Sequence, residues 1–482
     1  MIAGQFMGKG SLFLSVMLLS RYLSDSDFGV LLFAVALGQV YLIFSDMGLS
    51  LVLNMRASVR PEDTQELLSA STTMKVALGI LGLPVLVMAG AVLGMSGNRL
   101  LVLGVVGISV LLESFAEMYY SVFRARERML SEGISRISKG ITGLALVMLA
   151  TRFGADLLTI SFTYVVRAMV AVFVAIAGIR RLGYTVKPRL EWNRARELFV
   201  ASLPLGIMGL VTVAHQKADT MILMGTLGEN AVAAWQQCLR ITEFMLLLVV
   251  PTLLPGALFP GLCRSFRDGR SARETGDMAR VFTAFAAAAA LGAVSTGERF
   301  LRFIWGSEYL RSFSSSDLQL NLYLCLAGLA VLYLVNILLT SLLAVNKVKV
   351  VVPVTSAALV LIVAGNIHMI PKLGLRSVGV FYLIGNLLVL VSYWLFLKLR
   401  GFSLPVFRES GLTLLVALPF FALTPLTGRL PFVPALLLPV ILFFLAWSLT
   451  GGLEAAGRLF NIGNDAPLKV NDHFRSHRGA DG

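Results

Sequence analysis

Residues 4–48 of this chain read GQFMGKGSLFLSVMLLSRYLSDSDFGVLLFAVALGQVYLIFSDMG, two apolar runs joined by the short polar turn Arg21–Asp27. Each run is about 20 residues long, the length that a helix needs to cross the hydrocarbon core of a bilayer. The pattern continues along the chain in about 14 apolar stretches of roughly 18 to 25 residues, separated by short and mostly basic connectors. The sequence therefore predicts an all-α, polytopic membrane protein with about 14 transmembrane helices.

The composition agrees with this class. Hydrophobic residues make up 57% of the 482 residues, charged residues only 14%, and the mean hydropathy is +0.82. A soluble domain of this length could not bury so much apolar surface in one core, so we expect lipid to act as the solvent of the chain. The predicted spans, in chain order, comprise about residues 4–23, 28–48, 75–96, 100–122, 138–152, 156–179, 198–222, 230–259, 280–298, 318–344, 348–368, 375–398, 409–426 and 431–450.

The basic residues lie mainly on one side of these spans. The net charge is +14, and with the amino terminus inside, the inner connectors and the tail carry about 29 Lys and Arg against about 8 on the other side. The positive-inside rule therefore predicts that both termini are cytoplasmic. It also assigns the basicity to orientation and to anionic lipid heads, which excludes nucleic acid as the expected partner.

An internal repeat is visible at two junctions between spans. The turn Arg21–Gly29 and the turn Met224–Ala231 each join two long apolar helices through small and acidic residues, and they stand six spans apart on the same predicted side. A parallel repeat of this kind predicts two pseudo-symmetric six-helix lobes with a site between them. The predicted units are an N-terminal lobe, a C-terminal lobe, two extra helices and a disordered cytoplasmic tail, at residues 1–196, 197–400, 401–453 and 454–482.

Cofactors and catalysis are not expected. Cys238 and Cys325 fall inside apolar helices and Cys263 at a helix end, without the spacing of a disulfide framework or a zinc site. Asp25-Ser26-Asp27 matches the D-x-D pattern of metal-dependent glycosyltransferases, but it lies in a helix-to-helix turn with no nucleotide-binding domain around it. The chain also has no P-loop, so we expect no ATP hydrolysis.

Ionisable groups at bilayer depth are the candidate functional residues, because burying them in lipid is costly. Arg167 and Arg240 stand about ten residues from a helix end, roughly 15 Å deep, too deep to reach either surface. Arg21 is shallow enough to be an interface anchor instead. The candidates for substrate binding are Arg21, Arg167, Lys217, Gln236 and Arg240, and those for ion coupling or charge pairing are Glu113, Glu117, Asp219 and Glu243.

Several of these residues form polar stripes on single helix faces. Glu113 and Glu117 are four residues apart, and Gln236, Arg240 and Glu243 follow the spacing i, i+4, i+7. Stripes on several helices predict a shared aqueous cavity lined by both Arg167 and Arg240. The alternative is that these charges only pair with each other and hold helices together.

Five segments resemble a known family. They are Ser20–Val30; Ser45–Leu49 with Arg56; Ala218–Leu223; Trp305–Tyr309; and Ala344–Lys347 continuing to Asn366, Ile370-Pro371 and Leu373-Gly374. In this order and spacing they are similar to the polysaccharide-biosynthesis membrane proteins, the O-antigen and oligosaccharide flippases. These belong to a superfamily with the multidrug extrusion proteins and the lipid II flippase. The chain departs from the pattern at Ser24-Asp25, where the family commonly has Gly-Pro, and at Trp235, where it often has Tyr.

The resemblance implies a transporter that moves an undecaprenyl-diphosphate-linked oligosaccharide from the cytoplasmic to the outer leaflet of a bacterial inner membrane. The cations would clamp the diphosphate, because Arg forms charge-assisted, often bidentate bonds to phosphate oxygens. Membrane lipids and polysaccharide assembly proteins are the other implied partners.

Three other functions stay open at this point. They are a multidrug or cation antiporter, a membrane polysaccharide polymerase and a non-transporting assembly scaffold. Polymerases of this kind have a sizeable outer loop, whereas the longest outer connector here, Arg299–Asp317, is only about 20 residues.

Overall fold

The computed structural model describes residues 2–185, 192–253, 262–263, 265–266, 270–306, 313–345 and 347–464. Across these residues the chain forms α-helices and short 3₁₀ turns, with no strand. The helices, numbered in chain order, are α1 Ile2–Tyr22, α2 Asp25–Asp46, α3 Leu49–Val59, α4 Thr64–Val92, α5 Asn98–Ala125, α6 Met129–Arg152, α7 Leu157–Arg181, α8 Trp192–Thr226, α9 Glu229–Leu253, α10 Ser271–Thr296, α11 Glu298–Trp305, α12 Ser315–Ala344, α13 Val351–Leu373, α14 Arg376–Leu399, α15 Val406–Ala422, α16 Thr424–Thr427, α17 Phe432–Leu449 and α18 Gly452–Asn464.

The helices correspond to the predicted spans. Of the helices in the described part of the chain, 11 are long and apolar enough to cross a membrane, and α1, α9 and α15 occupy the three other predicted positions. Residues 254–259 of the eighth predicted span lie outside the described residues. The prediction of an all-α polytopic membrane protein is confirmed.

Several predicted boundaries were wrong. Helix α4 begins at Thr64 instead of residue 75, α6 at Met129 instead of 138, and α10 at Ser271 instead of 280. In each case the prediction from hydropathy excluded the polar residues before the apolar run, whereas the backbone is already helical at those residues. Side chains predicted at the membrane surface therefore lie two to three turns inside a helix.

The carboxyl-terminal prediction also needs correction. Helix α18 covers Gly452–Asn464, so the expected disorder is wrong for residues 454–464, and residues 465–482 lie outside the described part of the chain. Arg458 explains part of this order, because its guanidinium binds both carboxylate oxygens of Asp277 on α10 at 2.7 and 2.8 Å. A bidentate Arg–carboxylate pair fixes the helix geometrically as well as by charge.

The helices pack within two groups. In the first half of the chain α5 packs on α7, α1 on α6, and α6 on α7. In the second half α12 packs on α14, α13 on α8 and α14, and α10 on α12. Helices α15, α17 and α18 cover α10, as expected for an addition to the two groups.

Helix α2 joins the two groups, because it packs on α5 of the first and on α8 and α9 of the second. At its start, a Cβ on Gly29 would overlap the carbonyl oxygen of Glu229 in the α8–α9 turn. At its end, Met47 and Gly48 adopt left-handed conformations that separate α2 from α3, and a Cβ on Gly206 of α8 would lie 2.7 Å from the Met47 carbonyl oxygen. The two groups are thus in backbone contact at both ends of α2.

Candidate functional site

A cavity lies between the two groups of helices, bounded by α1, α2, α5, α6, α7 and α9. Its volume is about 120 Å³. The polar residues in its wall are Gln39, Ser109, Glu113, Lys139, Tyr164, Arg167 and Arg240. Arg167 and Arg240, the two deepest arginines of the sequence, therefore meet in one cavity. We call it the central cavity.

Three helices of the first half contribute a cluster that we call the first triad. Glu113 on α5 forms an ion pair with Lys139 of α6, whose Nζ lies 2.8 Å away, and lies 3.6 Å from Arg167 Nη2 of α7. The Arg167 guanidinium also lies over the ring of Tyr164, 3.9 Å from its centroid, a contact that stabilises a cation in a site with little water. One carboxylate is shared by two cations.

The second half contributes a matching cluster, the second triad. Glu243 on α9 accepts Lys217 Nζ of α8 at 2.6 Å and Arg240 Nη1 at 3.0 Å. Arg240 and Glu243 are three residues apart on α9 and therefore lie on the same face. Here again a single carboxylate serves two cations.

The two triads leave an excess of positive charge. Each has two cations and one carboxylate, a formal charge of +1, and together they carry +2. Within the described residues, Nε of Arg167 and Nε of Arg240 are buried without a hydrogen-bond partner. Unpaired buried donors cost free energy, and an anion in the cavity would satisfy them. The arrangement is therefore able to bind a doubly charged anion.

Of the predicted residues of the second half, only Arg240 lines this cavity. Lys217 and Glu243 are connected to it through the ion pairs of the second triad, and Asp219 and Gln236 have other partners. Asp219 is 2% exposed and accepts Asn366 Nδ2 of α13 at 2.8 Å. Gln236 is fully buried and donates from Nε2 to Thr220 Oγ1 at 2.7 Å, which joins α8 to α9. His215, one turn before Asp219, is also buried.

The structure does not bring Arg21 to the central cavity. Its Nε and Nη2 donate to the Ile304 carbonyl at 3.3 and 3.2 Å, and Nη2 also donates to the Phe303 carbonyl. These carbonyls lie in the last turn of α11, where an arginine side chain can bind them. In this conformation Arg21 ties α1 to α11.

Glu117 belongs to a separate charge network at the far end of α5. It lies 2.9 Å from Arg136 and 3.4 Å from Arg124, and Glu132 binds the same two arginines at 2.9 Å each. Two carboxylates and two guanidinium groups balance, so this network connects α5 to α6 without an excess of charge.

The sequence analysis missed two lysines. Lys139 of the first triad and the fully buried Lys75, 2.6 Å from Asp46, both stand at the predicted start of a span. The true helices begin about ten residues earlier, which places both lysines inside the bundle. Extending each helix upstream to its polar first turn would have identified them.

The fold is similar to that of known membrane proteins. A structure described as the lipid II flippase MurJ in an inward closed conformation aligns at 15% identity, covering 93% of this chain and 98% of that one, with a TM-score of 0.73. A multidrug resistance MATE family transporter of the MOP superfamily, inward-facing, aligns at 14% identity, 82% and 94% coverage and a TM-score of 0.65. The Vibrio cholerae MATE transporter VcmN aligns at 14% identity, 83% and 95% coverage and a TM-score of 0.57.

The family of the chain follows from its sequence. No curated protein sequence matches the chain, but the family model described as polysaccharide biosynthesis protein matches residues 1–266. That match covers more than half of the 482 residues and includes all of the first triad and of the second. This chain belongs to the polysaccharide biosynthesis protein family.

Proposed function

We propose that this protein moves a polyprenyl-diphosphate-linked oligosaccharide from the cytoplasmic to the outer leaflet of a bacterial inner membrane, without a catalytic step. The observation that carries the proposal is the formal charge of +2 in the wall of the central cavity, which three cations, Lys139, Arg167 and Arg240, and one carboxylate, Glu113, provide. A diphosphate diester carries two negative charges and must lose much of its water to enter. Arginine and lysine replace that water with charge-assisted hydrogen bonds.

In this proposal Arg167, Arg240, Lys217 and Lys139 bind the diphosphate. Glu113 and Glu243 stabilise these cations in the empty protein, because a buried cation without a partner is strongly unfavourable. When the diphosphate enters, it shares the cations with the two carboxylates. Asp219 is the proposed coupling residue. Glu117 has a pairing role, and so in this conformation do Arg21 and Gln236.

The position of the central cavity between the two groups of helices supports transport by alternating access. In this proposal the two groups separate to admit a diphosphate with an attached sugar. Their contacts at the two ends of α2 are the points at which they can do so. Rocking of two repeats about a central site is a general mechanism of transporters built in this way, and the likeness to a lipid II flippase supports it.

A multidrug or cation antiporter is the second candidate, because the fold is also similar to MATE transporters. A site for organic cations needs an excess of negative charge, whereas each triad here has two cations for one carboxylate. The charge of the cavity therefore favours the anionic substrate.

The test is a flipping assay with purified protein in liposomes and a fluorescent polyprenyl-diphosphate-linked sugar. We expect Arg240→Gln to abolish flipping and Arg240→Lys to retain part of it, because a point charge survives in the lysine variant. The structure sharpens the comparison: after Arg240→Gln, Glu243 is still paired with Lys217 at 2.6 Å, so the variant leaves no unpaired acid. Arg194→Gln, in a surface pair with Glu66, is the control and should flip normally.

The double variant Arg240→Gln with Glu243→Gln separates binding from pairing. If Arg240 binds the diphosphate, the double variant stays inactive. Recovery of flipping in the double variant would show that Arg240 serves only to neutralise Glu243, and would remove it from the proposed site.

A further inference from the structure

A second cleft lies beside the central cavity, at the end of the bundle where α2 ends. Its volume is about 240 Å³ and it lies between α2, α3, α4 and α5. Its polar lining is Asp46, Ser50, Asn54, Lys75, Glu117 and Arg124. Leu42 lines both this cleft and the central cavity, so the two spaces are adjacent. We call this second space the α2–α5 cleft.

The charges of the α2–α5 cleft are balanced. Lys75 pairs with Asp46 at 2.6 Å, and Arg124 lies 3.4 Å from Glu117. Lys75 Nζ also donates to the Ser114 carbonyl at 2.6 Å and to Ser114 Oγ at 2.8 Å. An ammonium group has three donors, so Lys75 has none left for a ligand. The cleft therefore lacks the excess charge that a phosphate needs.

The cleft nevertheless offers hydrogen-bonding groups to a neutral ligand. Asn54 uses its amide oxygen only in a long contact with Ser58 Oγ at 3.5 Å, which leaves its two amide donors for a ligand. Arg124 binds Glu132 and Glu117 through Nε and Nη2, so Nη1 also points to no acceptor within the described residues. Asp46 is held in place by Lys75 and Ser50 and has further lone pairs.

We propose that the α2–α5 cleft binds the sugar next to the diphosphate, while the diphosphate occupies the central cavity. This rests on the proposed function. Each sugar hydroxyl is one donor and an acceptor, which suits a balanced set of fixed carboxylate, amide and guanidinium groups better than it suits an ion. The sugar is bonded directly to the diphosphate, and the two spaces are adjacent at Leu42. Lys75 acts as a positioning residue for Asp46.

The experiment measures binding to the full-length protein in nanodiscs. The probes are the methyl diester of undecaprenyl diphosphate, here called the bare lipid, and undecaprenyl diphosphate carrying one glucose or one N-acetylglucosamine, so that all three carry two negative charges. We expect the wild type to bind at least one sugar-carrying lipid more tightly than the bare lipid. Asn54→Ala should weaken that binding by about 5- to 20-fold, the loss of one or two hydrogen bonds, and leave binding of the bare lipid unchanged. Asn336→Ala, an asparagine of α12 outside both spaces, should change neither.

Each outcome decides one of the two proposals. Equal weakening of both lipids by Asn54→Ala, or no gain in affinity from either sugar in the wild type, overturns the sugar site and leaves the transporter proposal standing. Failure of the wild type to bind any of the three lipids overturns the proposed function, and the sugar site with it. Normal binding of bare lipid by Asn54→Ala also shows that the variant is folded.

Discussion

At the residue scale, each buried carboxylate of the central site holds two cations. Glu243 lies within 3.0 Å of both Arg240 and Lys217, and Glu113 lies between Lys139 and Arg167. Loss of the acid and loss of one cation therefore have different effects on the charge balance of a triad. Removing one cation leaves a complete pair, whereas removing the acid leaves two like charges side by side.

The different charges left behind predict different stabilities for two variants of the second triad. Glu243→Gln should destabilise the protein, because it leaves the mostly buried cations Lys217 and Arg240 without their carboxylate. Arg240→Gln should cost much less, since Glu243 keeps Lys217. Thermal unfolding of both variants in the same detergent measures the difference, and a Tm for Arg240→Gln as low as that for Glu243→Gln would contradict it.

Lys75 gives a second prediction at this scale. Its ammonium group is fully buried and bound to Asp46 and Ser114. Lys75→Met should cost about 3–5 kcal/mol because Asp46 is left unpaired, and adding Asp46→Leu should recover most of that loss. The free energies of unfolding of the two single variants and the double variant test this. Additive losses in the double variant would show that the two residues stabilise the fold independently.

At the element scale, α2 controls both ends of the central cavity. Gly29 lets it approach the α8–α9 turn at the predicted outer end, and Gly206 lets α8 approach its other end. These two positions require glycine because the facing groups are backbone atoms, which cannot move aside like a flexible side chain. In the proposed alternating-access mechanism, we expect each contact to close one entrance to the cavity.

Alanine at either glycine should therefore open one end. Gly29→Ala should favour the outward-open form, and Gly206→Ala the form open to the other side. The measurement is labelling of a cysteine placed at Ser109 in the central cavity, with Cys238, Cys263 and Cys325 replaced and a membrane-impermeant maleimide added to right-side-out or inside-out vesicles.

The control for this labelling is Gly104→Ala, where a Cβ has no atom within 4 Å, and it should label like the parent. Faster labelling of Gly29→Ala from the cytoplasmic side, or no change in either variant, would show that these contacts are not the gates.

At the scale of the whole molecule, the predicted orientation of the chain requires an even number of membrane crossings. The predicted orientation places the α8–α9 turn outside and both termini inside. A reporter that is active only outside the inner membrane should therefore be active when fused after Thr226. A reporter that is active only in the cytoplasm should be active when fused after Gly482. Reporters that place Thr226 and Gly482 on the same side would overturn the orientation and the assignment of the two gates.

The sequence by itself determined the class of the protein, the approximate places of its helices, its resemblance to the family and the position of Arg167 and Arg240 well inside their helices. These follow from apolar length, from charge position and from local motifs, each of which is contained in a short segment of chain. The helix starts at Thr64 and Met129 were not predicted, because polar first turns inside a bundle resemble surface connectors in the sequence.

Only the tertiary structure decided which charges meet. It paired Glu243 with Lys217, 26 residues away, brought Lys139 and Lys75 into the interior, and turned Arg21 to carbonyls 282 and 283 residues distant. The partner of a buried ion depends on which helices pack together and at what height. Packing is a property of the whole set of helices, so no single segment of the sequence contains it.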